Sequence, residues 1–345
     1  MRKYGLLITT VIATLICMPV MLFLFAGNEV YAGNMRLEDV SYDDGSDAVK
    51  MTLDAESNAS VVEGITDDVE VSLGIPLEYG TEIDKITVYE DKAASLINIS
   101  IPTDDKNYYY RNELTGSQKG IASLVYDYTD GYAEFDIITA GYYISTVHLT
   151  ERELYLELIS PKELYGHVFV IDAAHGGDDA GNSAYGVTEK DVALNITQAV
   201  ARKAEENGIG GFYFTRNTDE AVSSEDRTKL VTLLNPDIFI SFHVNADGET
   251  RVTNGISAVV NNPADETEVG KLISVIAAET GQQDLGVTVK APDEGSAEHE
   301  INIYTGYITN KAEALQMGSA QYTDKVGDVV YAWVMQVETA NAEED

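Results

Sequence analysis

After the first 33 residues, the hydrophobic pattern of this 345-residue chain changes once, near residue 166, and that change limits the folds open to it. Before it, short runs of alternating polar and apolar residues are separated by turn clusters, as at 43–45 and 129–131. Such alternation with frequent turns predicts a small all-β sandwich or sheet module over residues 34–165. After it, apolar strands alternate with amphipathic helices. This second pattern predicts an α/β domain over residues 166–340, with a mixed sheet covered by helices on both faces.

The N-terminus carries the export information. Arg2 and Lys3 precede an uncharged apolar run over residues 4–28, about the length that spans a bilayer. The run is longer than the apolar region of most signal peptides, yet a small residue at Ala32 offers a cleavage point. Residues 1–33 are therefore expected to be either an uncleaved membrane anchor or a cleaved signal peptide. Both alternatives export the remainder, because the positive end stays inside.

Charge and cysteine content narrow the class of protein further. The formal net charge is −36, from 58 acidic and 22 basic residues. A field of this sign disfavours nucleic acid and anionic lipid surfaces as partners, since both need clustered Lys and Arg. The single cysteine, Cys17, lies within the N-terminal apolar run. The rest of the chain therefore has neither a disulfide nor a thiolate metal site.

Tyrosine clusters in the β-rich part allow two interpretations. Residues 108–110 are three consecutive tyrosines, and residues 142–143 are two more. They could form an aromatic face that binds glycan. The alternative is that they are ordinary half-buried residues on strands, where tyrosine is common.

Two histidines and a glutamate in the α/β part suggest a metal site. His175 follows a predicted strand directly, Glu189 opens the next predicted helix, and His243 ends another predicted strand. Two imidazoles and one carboxylate are a typical ligand set for catalytic zinc, with the fourth position left for a water whose pKa falls to about 7. The spacing is not a compact motif, so structural roles for the histidines and a helix-dipole role for Glu189 stay open. Asp172 is expected either to hold the His175 loop or to orient His175.

These residues belong to a longer series of motifs in a fixed order. The series is His-Gly-Gly at 175–177, Glu-Lys-Asp at 189–191, Thr-Arg-Asn-Thr-Asp at 215–219, Arg227, Ser-Phe-His-Val-Asn at 241–245 and Gly255. With it, residues 168–338 resemble the zinc-dependent N-acetylmuramoyl-L-alanine amidase family. The resemblance implies a Zn²⁺ cofactor held by His175, Glu189 and His243, and peptidoglycan as the substrate. One mild departure is Ala173-Ala174, where the family usually has Pro-Gly.

A second departure concerns the general base. Tyr304 stands at the position where the resemblance implies a catalytic glutamate. Tyrosine, with a reference pKa of about 10, is a poor base at neutral pH, although its hydroxyl can still donate to an oxyanion. Glu300 is one candidate substitute base, but on a regular strand it would lie roughly 13 Å from position 304. Asp178 and Asp179, just past the His175 loop, are the others.

Three functions follow as hypotheses. The first is an exported amidase that cleaves the bond between N-acetylmuramic acid and L-alanine. The second is a catalytically weakened or inactive homologue that binds peptidoglycan or regulates a wall hydrolase. The third is a zinc peptidase with a different bond specificity.

Overall fold

The computed structural model describes residues 40–41, 49–52, 70–92, 94–248 and 251–342. The predicted anchor or signal segment at 1–33, which includes Cys17, lies outside these residues. Among the helices that are described, none combines the length and apolar character needed to cross a membrane. The chain divides into two compact units between Ser160 and Pro161.

The first unit is built from β-strands, as the alternating pattern predicts. Its strands in chain order are β1 (Val40–Ser41), β2 (Val49–Thr52), β3 (Leu73–Pro76), β4 (Thr87–Asp91), β5 (Leu96–Pro102), β6 (Ile121–Thr129), β7 (Tyr132–Thr139), β8 (Ile144–Leu149) and β9 (Glu153–Ile159). They form a six-stranded antiparallel sheet, β1-β2-β4-β5-β7-β6, and a three-stranded one, β3-β9-β8. Alternate residues of both sheets, such as Ile99 and Leu156, lie in one buried cluster. Two sheets that share one core make this unit a small β-sandwich.

The tyrosine clusters do not lie on strands, so that part of the prediction is wrong. Residues 108–110 begin a short helix, α1 (Tyr108–Arg111), and Tyr142 and Tyr143 lie in the irregular segment before β8. The Tyr109 ring packs edge-on against Phe135 of the core, with ring centroids 4.9 Å apart. Packing against the core thus overrides the strand preference of aromatic residues.

The second unit alternates strands and helices. Its strands are β10 (Phe169–Ala173), β11 (Ser183–Ala184), β12 (Val187–Thr188), β13 (Phe212–Phe214), β14 (Ile238–Asn245), β15 (Ile256–Val260), β16 (Asp284–Val289) and β17 (Glu300–Tyr307). Its helices are α2 (Pro161–Tyr165), α3 (Glu189–Glu206), α4 (Ser224–Leu234), α5 (Glu266–Thr280), α6 (Lys311–Met317) and α7 (Ala320–Ala342). The six-stranded sheet has the order β13-β10-β14-β17-β15-β16. Only the β15–β17 pairing is antiparallel, so the sheet is mixed.

Local signals explain where the helices of this unit begin and end. The Ser223 hydroxyl accepts from the Asp226 backbone N–H and the Asp226 carboxylate accepts from the Ser223 N–H. A serine with an acidic residue three positions later is the sequence pattern that predicts this reciprocal capping box. Helix α5 ends at Gly281, which adopts the left-handed conformation that glycine tolerates. Strand β16 was not predicted, because its alternation is interrupted at Gly286 and its side chains are largely exposed.

The two faces of the mixed sheet differ. On one face, helices α3, α5 and α7 bury apolar side chains such as Ile196, Ile273 and Val330 against the sheet. On the other face lies α4, whose Arg227 side chain reaches Asp172 of β10. This second face carries the polar residues of the site.

Candidate metal centre

The fold brings His175, Glu189 and His243 together from three separate segments. Strands β10 and β14 pair in parallel, with Ala173 opposite Phe242, so their carboxyl ends lie side by side. His175 comes just after β10, His243 lies near the end of β14, and Glu189 begins α3. One nitrogen or oxygen from each side chain lies within 4.8 Å of the others. This is the edge of a parallel sheet at which ligands collect.

Glu189 is the buried member of the cluster. Its Oε1 accepts a hydrogen bond of 3.0 Å from the Val244 N–H and faces both histidines, 3.2 Å from His175 Nε2 and 3.3 Å from His243 Nδ1. Burial alone would raise the pKa of Glu189. Instead, the neighbouring His243 and the backbone N–H groups of Asn182 and Val244 lower that pKa to about 2. Glu189 is therefore ionised at neutral pH.

Asp179 fixes the orientation of His175. The Asp179 carboxylate lies 2.7 Å from His175 Nδ1. Because a carboxylate only accepts hydrogen bonds, Nδ1 donates to Asp179, and in the neutral imidazole Nε2 then directs its lone pair toward Glu189. The structure thus gives Asp179, considered from the sequence as a substitute base, a position as the orienting partner of His175.

Asp172 acts on the other histidine. The Ser241 hydroxyl lies 2.5 Å from Asp172 Oδ2 and 3.1 Å from His243 Nε2. Because Ser241 donates its single proton to the carboxylate, it accepts from His243 Nε2–H. In the neutral imidazole the lone pair of His243 is then on Nδ1, the atom that faces Glu189. Of the two roles expected for Asp172, orienting His175 is not supported.

The resulting donor set fits a metal cation. When both histidines are neutral in these tautomers, two imidazole lone pairs and one ionised carboxylate oxygen converge. The lone pairs of these three acceptor atoms repel one another unless a positive charge lies between them. Two neutral imidazoles and one carboxylate are the ligands that catalytic zinc prefers. The histidines are about a quarter exposed, so solvent reaches the site.

Tyr304 lies beside the cluster, and Glu300 does not. Tyr304 pairs with His243 across β14 and β17, and their rings stack with centroids 5.4 Å apart. Burial and the Glu189 charge raise the pKa of Tyr304. The β14–β17 pairing is regular from Glu300 to Tyr304, so Glu300 stays roughly 13 Å along the strand.

Comparison with known proteins assigns the α/β unit to a protein family. The N-acetylmuramoyl-L-alanine amidase family model matches residues 169–335. This segment belongs to that family. The chain is 27% identical over 176 residues to the uncharacterized protein YqiI of Bacillus subtilis, covering 48% of this chain and 82% of YqiI. It is also 27% identical over 172 residues to the N-acetylmuramoyl-L-alanine amidase LytC of Bacillus subtilis, covering 48% of this chain but only 34% of LytC.

A solved structure is similar to about half of the chain. The N-acetylmuramoyl-L-alanine amidase AmiC2 of Nostoc punctiforme is 23% identical, with a TM-score of 0.46. The similarity covers 50% of this chain and 96% of AmiC2.

Two arginines, the buried Arg216 and the partly exposed Arg227, hold the His175 loop of the amidase domain. Arg216 donates from its guanidinium to the carbonyls of Ala173, Ala174, Thr218 and Lys190, at 2.8–3.0 Å. Arg227 donates to Asp172 and to the carbonyls of Ala173, Val222 and His175. His175 itself has a φ of 62°, a left-handed conformation that costs a non-glycine residue about 1–3 kcal/mol. The arginines hold the loop in that conformation and so keep His175 directed at Glu189.

Replacing Arg216 with methionine should destabilise the amidase domain by about 2–3 kcal/mol, because it leaves buried carbonyls without donors. Urea unfolding followed through Trp333, the single tryptophan of the chain, measures this effect within the domain. The matched control is Arg202→Met on α3, where an exposed pair with Asp324 is lost and the cost should stay below about 1 kcal/mol. Equal stability of the two variants would contradict the role given to Arg216.

Asn182 is a site residue that the sequence did not reveal. Its backbone N–H and its side-chain amide both donate to Glu189 Oε2 at 2.9 Å, and the same amide donates to the Val244 carbonyl at 2.9 Å. Asn182 thus ties the His175 loop, the start of α3 and the end of β14 together. Oε2 is fully engaged, which leaves Oε1 as the atom directed at the histidines.

Replacing Asn182 with alanine should therefore weaken zinc binding by about 10–100-fold, the usual cost of losing a partner of a metal ligand. Competition against a chromophoric chelator measures this affinity directly. The neighbouring exposed Ser183→Ala variant is the control and should bind zinc as the unmodified chain does. Equal affinity of both variants would show that Asn182 does not position Glu189.

Proposed function

We propose that this protein is an exported zinc-dependent amidase that cleaves the bond between N-acetylmuramic acid and L-alanine in peptidoglycan. The observation that carries the proposal is the convergence of His175 Nε2, His243 Nδ1 and Glu189 Oε1, with both histidine tautomers fixed by their other partners. The amidase family of residues 169–335 supports the substrate and the bond. LytC is named as an amidase of this bond, and that activity is carried over here as part of the proposal.

His175, Glu189 and His243 are the residues that would hold the zinc ion. Bound zinc supplies a Lewis acid for the scissile carbonyl and a nucleophilic water at neutral pH. Tyr304 lies next to His243, where its hydroxyl can donate a hydrogen bond to negative charge that develops on the substrate. The three ligands are kept in place by Asp179, Ser241 and Asn182, so the site does not need to reorganise when the ion binds.

Export and wall attachment complete the proposal. The N-terminal sequence, with Arg2 and Lys3 before an apolar run, supports export either as an anchored or as a secreted protein. We further propose the three-part organisation of residues 1–33, 34–165 and 166–340. In it, the β-rich module precedes the amidase domain in the cell envelope.

Tyr304 favours a second candidate function. A tyrosine at the position of the general base removes the group that would take a proton from the attacking water. On this reading the metal site persists in a weakened or inactive homologue, which binds peptidoglycan or regulates an active wall hydrolase. Glu300 does not restore the base while β17 remains regular.

One experiment separates the two candidates. The full-length protein is loaded with zinc, its zinc content is measured, and purified cell walls are assayed for released stem peptide by mass spectrometry. One zinc per chain with peptides that begin at L-alanine supports the amidase. One zinc with wall binding but no release supports the inactive homologue. Cleavage at another bond would identify a zinc peptidase, and absence of zinc would refute all three.

A further inference from the structure

A row of polar side chains leads away from the metal cluster along β17. Glu300, Asn302 and Tyr304 alternate with Ile301 and Ile303, which are buried in the core beneath the sheet. The three alternate residues therefore point to the opposite face, and each is partly exposed. We call Glu300, Asn302 and Tyr304 the polar strip.

The sheet face around the polar strip is closed on one side and open on the other. Toward β14, the neighbouring Phe239 and Ser241 are buried. Toward β15, Ser257 pairs with Tyr304 and Val259 pairs with Asn302, and both remain partly exposed. The strip thus lines an accessible surface that begins at His243 and continues along the strand.

Glu300 is held in place at the far end of the strip. The Asn302 side-chain amide donates to Glu300 Oε1 at 3.0 Å, and the Glu300 backbone N–H donates to the Asn261 side chain at 2.9 Å. Among the described residues, Glu300 has no Lys, Arg or His within ion-pair distance. An oriented, partly exposed carboxylate without a cationic partner is suited to accept one from a ligand.

We propose that Glu300, oriented by Asn302, binds an ammonium group on the stem peptide of the substrate. This inference rests on the proposed function and deepens it. Glu300 lies roughly 13 Å along the strand from Tyr304. Three residues of extended peptide span roughly 10 Å, and a long amine side chain covers the remainder. A carboxylate can also accept hydrogen bonds from the hydroxyls of a neutral glycan, but only a cationic group gains in addition from the charge of Glu300 and from the net charge of −36.

The test compares two synthetic ligands on the full-length, zinc-loaded protein. Both are N-acetylmuramoyl tripeptides whose scissile amide is replaced by a non-cleavable ketomethylene group, one with lysine as its third residue and the other with Nε-acetyllysine. Isothermal titration calorimetry should show that the free amine binds about three- to tenfold more tightly. Glu300→Gln should remove this preference while it leaves the affinity for the acetylated ligand unchanged, which also shows that the variant is folded. Asn302→Ala should reduce the preference in part.

Glu298→Gln is the matched control, because Glu298 is an exposed acid two residues before Glu300 and outside β17. It should keep the preference for the free amine. Equal affinity of the unmodified protein for both ligands, or a preference that survives Glu300→Gln, overturns this inference and leaves the amidase proposal standing. Failure to bind either ligand, together with failure to release peptide from walls, overturns both.

Discussion

Replacing Tyr304 with glutamate should raise the rate of peptide release from cell walls by about 10²–10⁴-fold, the usual contribution of a positioned general base. Position 304 is suited to this role, since it pairs with His243 on the adjacent strand and its ring stacks on that imidazole. The tyrosine hydroxyl is protonated at neutral pH, and burial raises its pKa further. A carboxylate at the same position can take the proton that the hydroxyl cannot.

Tyr304→Gln provides the control for this gain. Glutamine has the size of glutamate but cannot act as a base, so its activity should stay near that of the unmodified protein. A gain of equal size in both variants would mean that removal of the ring opens the site. Substantial activity in the unmodified protein that Tyr304→Glu does not increase would show that catalysis does not lack a base.

Replacing Glu189 with glutamine should weaken zinc binding by about 10²–10³-fold. Structural zinc sites bind with about 10–16 kcal/mol in total, so each ligand contributes several kcal/mol. Glu189 supplies the one negative charge of the cluster, and its Oε1 is the atom that faces both imidazoles. The amide that replaces it is neutral and nearly the same size. Glu189→Gln should therefore lose metal affinity without leaving a large cavity in the protein. Competition against a chelator measures the loss of affinity.

Asp191→Asn is the matched control, because Asp191 lies in the same first turn of α3 but is exposed. This variant removes one negative charge two residues after Glu189, roughly 3 Å further along the helix axis at about 1.5 Å per residue. It does not remove a ligand. Its zinc affinity should stay within a few-fold of the unmodified protein. Comparable losses in both variants would indicate that the general field of the helix start, and not direct ligation by Glu189, holds the ion.

Local signals were enough to predict the main elements of the amidase domain. The amphipathic pattern predicts helix α3 at 189–206, and Ser223 with Asp226 predicts the start of α4. These signals act over three or four neighbouring residues, so they can be recognised in the sequence. The local pattern does not predict the helix Tyr108–Arg111, where Tyr109 packs against Phe135 of the core. It also does not predict the strand Asp284–Val289, because Gly286 interrupts the alternation and the side chains are largely exposed.

The sequence by itself determined which residues are candidate metal ligands, and its resemblance to the amidase family indicated Tyr304 as the position without the expected base. The ordered motifs single out His175, Glu189, His243 and Tyr304, because ligand chemistry depends on residue type. Only the tertiary structure decided how these residues are oriented. Asp179 and Ser241 set the two histidine tautomers, and these bonds follow from chain segments packed side by side. Their geometry depends on strand register and loop conformation, which no local pattern encodes.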